Sequence, residues 1–263
     1  MKVAVISEQP QVGRSSFSIL LGTVFSRTQM KKSVIFPTNP ADELFMLAEP
    51  KDVKTSAKSV SVYQAMIGTA AVEDKHLYDY AYRIGEEETY IFDIYGSTMR
   101  RSDLNELFHK TLKRVDAELT IIDVSADVKD EETLEILRNV DVILYCFTTN
   151  EKSYKAVREY ITTVEPNITR RTGYVCLKHD KQAVSDKQVS KEIGIKLREI
   201  MFIPYNSVVI KEGLNHNLHS LAKFIAGGHT EVLNLRIRLL EVMQFLFDSG
   251  RFKYIKGVNE WHK

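Results

Sequence analysis

Short apolar runs alternate with longer segments of helical periodicity along nearly the whole chain. Apolar runs predict strands at Val3–Ser7, Ser33–Phe36, Tyr90–Ile94, Leu119–Val124, Val142–Phe147, Gly173–Leu177 and Met201–Pro204. Apolar positions at helical spacing predict helices at Phe17–Phe25, Arg101–Arg114, Glu131–Arg138, Ser153–Val164 and Lys187–Ile200. Strands separated by helices are typical of βαβ units, and strands that are apolar almost throughout are covered on both faces. The sequence therefore predicts an α/β fold, a three-layer α/β/α sandwich around a mostly parallel central sheet.

The C-terminal region is predicted to be one long apolar helix followed by a basic and aromatic tail. Gly227 and Gly228 predict the end of one helix, and the last helix is predicted from about Thr230. Apolar side chains cover so much of its circumference that it is expected to be buried, either in its own core or against a partner. The tail mixes Arg, Lys, Phe, Tyr and Trp, so it is either a solvated end or a segment that contacts an anionic membrane surface. Since neither an internal repeat nor a low-complexity linker is found, residues 1–263 are predicted to form a single domain, with the helix and tail at about 230–263.

Composition and charge exclude several classes of protein. The chain is 44% apolar and 27% charged, as is usual for a soluble globular protein. Its 36 basic and 35 acidic residues give a net charge of +1, so nucleic acid is not expected as a partner. No signal peptide or membrane-spanning apolar run is recognised, and a cytoplasmic location is expected. Cys146 and Cys176 lie in apolar runs and are predicted to be buried free thiols.

The loop after the first strand carries the candidate chemistry. Residues 7–16 (SEQPQVGRSS) connect this strand directly to a helix, which is the context of a phosphate-binding loop. In such a loop, backbone N–H groups and the helix N-terminus present partial positive charge to phosphate oxygens. Gly13 supplies a glycine, Arg14 a cation, and Ser15 and Ser16 two hydroxyls. The alternative is a turn whose serines cap the helix.

The segment Gln9–Ser16 (QPQVGRSS) resembles, without a gap, the deviant Walker A motif KGGVGKTT of the ParA/MinD-type P-loop ATPases. The resemblance extends along nearly the whole chain, because further segments follow the family's motifs in order. These segments are 61–68 (SVYQAMIG), 90–96 (YIFDIYG), 117–124 (AELTIIDV), 132–148 and 202–216 (FIPYNSVVIKEGLNH). The irregular loop is similar to that of the TadZ/CpaE-like localisation factors within this class.

The resemblance implies an adenine nucleotide, ATP or ADP, together with Mg²⁺. It implies that Arg14 and the Walker B residue Asp123 take part in catalysis, and that Ser15 and Asp123 hold the metal. For Asp123 the alternative is a helix N-cap or a solvated carboxylate at the end of a strand. The residues implied to bind the nucleotide are Gln9, Gln11, Val12, Gly13, Arg14, Ser15, Ser16, Pro204 and Tyr205.

The loop itself departs from the family pattern at four positions. The signature lysine, which reaches across a dimer to the partner's nucleotide, is replaced by Gln9. Two glycines are replaced by Pro10, which has no N–H to donate, and by Gln11, which is expected to avoid a positive φ. The P-loop lysine is replaced by Arg14, which is still cationic.

Two further motifs also depart from the pattern. The carboxylates expected after the second strand are absent from Pro37–Asn39, so that Asp42 or Glu43 either substitutes for them or belongs to a turn and a helix start. The asparagine that reads adenine in the family is replaced within Lys178–Asp180, where His179 is expected to be a loop residue.

The resemblance implies a nucleotide-binding protein that positions or recruits a partner assembly, with weak or absent ATP hydrolysis. The assembly would belong to pilus or secretion, conjugation, segregation or division machinery. The expected partners are proteins of a cytoplasmic or membrane-associated machine and a second copy of the chain in a homodimer. The tail would allow peripheral association with the inner face of the membrane. The alternative is a pseudo-ATPase scaffold that binds no nucleotide and acts only through protein interactions.

Overall fold

The computed structural model describes residues 1–38, 73–84, 88–92, 94, 101–124, 128–215 and 217–247. These residues form one sheet of eight strands in the order β3-β4-β2-β5-β1-β6-β7-β8. Every pairing is parallel except that of β3 with β4. The strands are β1 (Lys2–Ile6), β2 (Ser33–Pro37), β3 (Tyr82–Arg83), β4 (Thr89–Ile91), β5 (Leu119–Val124), β6 (Val142–Phe147), β7 (Arg171–His179) and β8 (Ile200–Pro204).

Eight α-helices are described around this sheet. They are α1 (Arg14–Gln29), α2 (Arg101–Arg114), α3 (Glu131–Arg138), α4 (Glu151–Glu159), α5 (Asp186–Ile193), α6 (Ser207–Leu214), α7 (Leu218–Gly227) and α8 (Leu233–Leu246). Helices α2 to α5 pack on one face of the sheet. Helices α1, α7 and α8 pack on the other face, so the predicted three-layer α/β/α arrangement is confirmed.

The predicted elements agree with the structure most closely where strands are fully buried. The strands at 119–124 and 142–147 and the helices at 101–114 and 131–138 have the predicted bounds. The helix predicted over 187–200 ends earlier, at Ile193, because Gly194 adopts a left-handed φ of 76° and caps it. The helix predicted over 153–164 begins at Glu151, and its last turn is a π-helix from Tyr160 to Val164.

The core is divided by the sheet into two apolar layers. Side chains of alternate residues in each strand point to opposite faces, which is why one strand contributes to both layers. In β1, Val3 and Val5 face α1, whereas Ala4 and Ile6 face the opposite layer. The predicted burial of Cys146 and Cys176 is confirmed, and both thiols are free. Burial raises the pKa of the Cys176 thiol to about 12, so the reactive thiolate is scarce at neutral pH.

Helix α8 belongs to the core of this chain. Leu239, Val242 and Met243 are fully buried in the apolar layer between the sheet and α1. This resolves the choice between the chain's own core and a partner as the place where the apolar helix is buried. The basic and aromatic tail after residue 247 lies outside the described residues, as do the segment 61–68, Asp42 and Glu43. None of the described helices is long and apolar enough to cross a membrane.

Candidate functional site

The loop between β1 and α1 bends through two left-handed residues. Gly13 has a φ of 98° and Gln11 a φ of 60°. The expectation that Gln11 avoids a positive φ is therefore wrong. A left-handed residue other than glycine costs about 1–2 kcal/mol. Here the Gln11 carbonyl accepts a hydrogen bond of 2.8 Å from Lys178 Nζ, which stabilises the loop in this conformation.

Asp123 lies at the carboxyl end of β5 and is the centre of a buried polar cluster. Its side chain is only 3% exposed. Arg14 Nε donates to one carboxylate oxygen at 2.6 Å, and Ser15 Oγ donates to the other at 2.7 Å. Ser18 Oγ lies 3.4 Å from the first oxygen. The sequence-predicted residues Arg14, Ser15 and Asp123 are thus brought together, through the pairing of β1 with β5.

This cluster does not fit a magnesium ion between Ser15 and Asp123. Magnesium binding requires a carboxylate and hydroxyl with lone pairs directed at the ion. The Asp123 carboxylate is already neutralised by the Arg14 guanidinium, which is itself only 15% exposed. A metal at this position would have to displace Arg14 and Ser15, because each Asp123 carboxylate oxygen already accepts a hydrogen bond from one of them.

The second strand supplies no carboxylate to the site in the described part of its C-terminal end. Thr38 follows Pro37, and its backbone N–H donates to the Asp123 carbonyl at 3.1 Å. This bond continues the pairing of β2 with β5. The position where the resemblance places carboxylates is therefore used for backbone pairing, at least as far as Thr38.

Gln9 is held within its own chain. Its side-chain oxygen accepts a hydrogen bond of 3.0 Å from Ser153 Oγ at the start of α4. Ser7 Oγ binds the backbone of Gln9 from the other side. The residue that replaces the cross-dimer lysine is consequently tied to α4 by its amide group.

A pocket opens beside this loop, with a volume of about 240 Å³. It lies at the carboxyl ends of β7 and β8, where open α/β sheets bind ligands. Its lining includes Val12, Gly13 and Ser16 together with apolar residues of α1, and residues of α6. The remaining lining residues include Leu177, Lys178, Ile203, Pro204, Tyr205, Asn206, Leu235 and Leu239.

Of the residues predicted to bind a nucleotide, Val12, Gly13, Ser16, Pro204 and Tyr205 line this pocket. Those that do not line it are the paired or outward-facing residues Gln9, Gln11, Arg14 and Ser15. Tyr205 is 55% exposed at the pocket edge, and Asn206 caps α6 by accepting a bond of 2.9 Å from the Val208 N–H. The predicted set is therefore divided between a pocket and a neighbouring buried ion-pair cluster.

Sequence reasoning missed several residues of the pocket. The sequence places Lys178 only in the segment that replaces the asparagine, yet its side chain reaches the 7–16 loop. The signal that could have found it is a lysine that directly follows the apolar run of β7, at the end of the sheet where ligands bind. Leu235 and Leu239 reach the pocket from the distant α8, and their local sequence carries no such signal.

His179 is not the loop residue that the sequence predicts. Strand β7 extends two residues beyond the apolar run, and His179 is paired with Pro204 of β8. Its ring is 5% exposed, lies 4.7 Å from the Phe202 ring and shares a hydrogen bond of 2.8 Å with Asp186. These contacts anchor the end of β7 beside Lys178. In the described ranges, no group of three or more His, Cys, Asp or Glu side chains could hold a metal ion.

Comparisons with known proteins point to one fold. No protein-family model matches the sequence, and no curated protein matches it. Among solved structures, the ParA family ATPase from Chlorobium tepidum TLS has a TM-score of 0.69 at 12% identity, covering 92% of this chain and 97% of that one. MinD from Pyrococcus horikoshii OT3, complexed with Mg-ADP, has a TM-score of 0.65 at 11% identity, covering 95% and 99%. The MinC:MinD cell division complex of Aquifex aeolicus gives 0.63 at 11% identity, covering 91% and 96%. The chain therefore has the fold of the ParA/MinD-type P-loop ATPases.

Proposed function

We propose that this protein binds an adenine nucleotide in the pocket beside the 7–16 loop and uses the bound state to position or recruit a partner assembly. ATP hydrolysis would be weak or absent. The observation that carries the proposal is the pocket itself, because it joins an apolar cleft to the backbone that begins α1. Apolar pockets with a few convergent polar groups are the usual sites for small ligands.

The cleft suits the flat, apolar faces of a purine base. Its walls are mainly aliphatic, from Leu177, Ile203 and Leu239, and Tyr205 offers an aromatic face at the edge. Whole-ligand pockets usually measure about 300–1,000 Å³. A volume of about 240 Å³ is therefore enough for the base alone, and the phosphates would lie outside the cleft.

The phosphates would face the loop and the first turn of α1. Gly13 and Ser16 line the same pocket as the apolar walls. The N–H groups in the first turn of an α-helix have no acceptor inside the helix, and the helix dipole places partial positive charge there. A phosphate next to Gly13 would therefore meet donors that already point at it.

Weak hydrolysis follows from the contacts of Asp123. Phosphoryl transfer in P-loop enzymes depends on a metal held by a hydroxyl and an aspartate, and on a group that orients the attacking water. In this chain the aspartate is neutralised by Arg14, and Pro37 and Thr38 carry no carboxylate. The chain thus keeps a pocket for a nucleotide, whereas Asp123, which would hold the metal for hydrolysis, is paired with Arg14.

The positioning role is inferred from proteins of the same fold. The relatives named above include a cell division protein in complex with a protein partner, MinC:MinD. Protein partners, a homodimer and a peripheral membrane location through the C-terminal tail are therefore part of this proposal. The kind of assembly, whether for pili or secretion, conjugation, segregation or division, is left open by the site.

Titration calorimetry with ADP and ATP tests the proposal, and Tyr205→Ala tests the placement of the base. We expect Tyr205→Ala to weaken ADP binding at least about fivefold, because stacking of a base on an aromatic ring is worth about 1–3 kcal/mol. Phe224→Ala is the matched control, since Phe224 is 54% exposed against 55% for Tyr205 and does not line the pocket. Equal affinities for the wild type and both variants would place the base elsewhere.

Magnesium is expected to have little influence on nucleotide affinity. Because Arg14 already neutralises Asp123, removal of Mg²⁺ with EDTA should change the dissociation constant for ADP by no more than about twofold, which corresponds to about 0.4 kcal/mol. The same titration in buffer with millimolar MgCl₂ provides the comparison. A dissociation constant that rises tenfold or more in EDTA would show that a metal enters the site and that Arg14 leaves Asp123.

The pseudo-ATPase scaffold is the second candidate, and it is favoured by one feature of the loop. Its polar groups are engaged within the chain through the contacts of Gln9 with Ser153, of Gln11 with Lys178 and of Arg14 with Asp123. Such a loop is stable without a ligand. Absence of a heat signal for both ADP and ATP, with and without Mg²⁺, would support the scaffold and contradict nucleotide binding.

A further inference from the structure

We propose that Lys178, and not Arg14, is the cation that contacts the phosphate of the bound ligand. This inference rests on the proposed function, since it concerns the same pocket. It assigns a role to a residue outside the loop motif, supplied by the end of β7.

Arg14 is not available for this role in the present arrangement. Its Nε lies 2.6 Å from the Asp123 carboxylate, and its side chain is only 15% exposed. Arg14 also does not line the pocket, although its neighbours Gly13 and Ser16 do. The cation of the loop motif is thus directed into the protein, away from the space where a phosphate would lie.

Lys178 occupies the complementary position. Its backbone has a φ of 55°, and its exposed side chain reaches the 7–16 loop at Gln11. A Cβ placed on Gly13 would lie 3.2 Å from Lys178 Cε and 3.9 Å from Nζ, so the lysine passes directly over the residue that precedes α1. Lys178 Nζ donates to Gln11 O at 2.8 Å, which fixes the ammonium at the rim of the pocket.

The electrostatic setting of this ammonium favours an anion. A helix N-terminus carries partial positive charge and repels a nearby cation, whereas an anion between the two is attracted by both. Among the described residues, no carboxylate forms an ion pair with Lys178, and Gln11 O takes one of its three donors. A phosphate beside Gly13 would therefore gain a charge-assisted hydrogen bond from Lys178 in addition to the backbone N–H groups.

The ligand class follows from the position of Lys178 beside the apolar cleft. The ammonium lies at the same rim as Gly13 and Ser16, next to the apolar cleft. A phosphate attached to a nucleoside in that cleft would reach Lys178, whereas a nucleoside alone would gain nothing from it. The geometry thus predicts that Lys178 distinguishes nucleotides from nucleosides.

The test compares ADP with adenosine by titration calorimetry, without added metal, for the wild type, Lys178→Ala and Lys181→Ala. We expect the wild type to bind ADP at least about tenfold more tightly than adenosine, since a hydrogen bond to a charged group has this magnitude. Lys178→Ala should weaken ADP binding about tenfold and leave adenosine binding within about twofold. Lys181 is the matched control, because it lies on the loop after β7, is 76% exposed and is absent from the pocket lining.

The possible results separate this inference from the proposed function. If ADP binds wild type and Lys178→Ala equally, the Lys178 assignment is overturned while nucleotide binding stands. If Lys178→Ala weakens ADP and adenosine by the same factor, Lys178 only shapes the pocket, and the assignment is again overturned. If neither ligand binds the wild type, both proposals fail. Thermal unfolding of each variant establishes that it is folded.

Discussion

Arg14→Ala is expected to lower the free energy of unfolding by about 3–5 kcal/mol, because it leaves a buried charge without its partner. Asp123 is 3% exposed, and Arg14 lies 2.6 Å from its carboxylate. Ser15 would still donate a hydrogen bond, but a neutral hydroxyl does not neutralise the carboxylate. For a domain of this size, the loss corresponds to a fall in Tm of roughly 10 °C, since each kcal/mol shifts Tm by about 2–4 °C.

The double variant Arg14→Met with Asp123→Leu separates the ion pair from local packing. Replacing both members of a buried pair by apolar residues is often neutral or stabilising, so the double variant should recover most of the stability lost by Arg14→Ala. Arg138→Ala is the surface control. It removes an ion pair with Glu131 whose two side chains are 45% and 78% exposed, and such pairs contribute about 0–1 kcal/mol. Urea unfolding measures all three variants, and equal losses for Arg14→Ala and Arg138→Ala would show that the Asp123 cluster is solvated.

Gly173→Ala is expected to lower the free energy of unfolding by about 1–3 kcal/mol, because β7 and α8 are too close to accept a methyl group. A Cβ on Gly173 would lie 2.6 Å from Phe245 Cε1 and 2.8 Å from Met201 Cε. Met201 can move its terminal methyl, but the Phe245 ring is held under the Arg171 guanidinium at 4.3 Å. The substitution therefore requires the Phe245 ring, or α8 with it, to move away from the sheet.

The control for this prediction is Gly213→Ala in α6. There the nearest atom to the added Cβ is Leu218 Cδ2 at 3.8 Å, which is an ordinary contact. Because glycine inside a helix is less stable than alanine by about 0.5–1 kcal/mol, this variant should be neutral or slightly stabilised. Urea unfolding compares the two, with hydrogen exchange in α8 as a local measurement. Similar stability of the two variants would indicate that α8 packs more loosely than the structure shows.

The pattern of apolar residues predicted the fold well because apolar side chains are the ones that become buried. The run at 142–147 is apolar at every position, and the structure buries all six residues between two helical layers. The helix at 131–138 was equally predictable, since its N-cap Asp130 binds the Thr133 N–H and its apolar side chains repeat at helical spacing. Boundaries were missed where a single backbone conformation ended an element. Gly194 stopped α5 although apolar residues continued beyond it.

The candidate site was only partly predictable. The loop before α1 and the strand-end Asp123 could be placed from the sequence, because the carboxyl ends of parallel strands meet at one edge of the sheet. The direction of each side chain could not. Gln11 adopts a conformation that its residue type disfavours, since Lys178, 167 positions away, binds its carbonyl. Nothing in the sequence near either residue reveals that contact.

The sequence by itself determined the alternation of buried strands and amphipathic helices and the position of the 7–16 loop between β1 and α1, because these depend on neighbouring residues. The tertiary structure alone decided that Arg14 pairs with Asp123, 109 positions away, and that Lys178 lies over Gly13. The physical reason is that the pairing of distant strands brings these side chains within hydrogen-bond distance. A buried charge without a partner is strongly unfavourable, so the folded chain pairs Arg14 with Asp123.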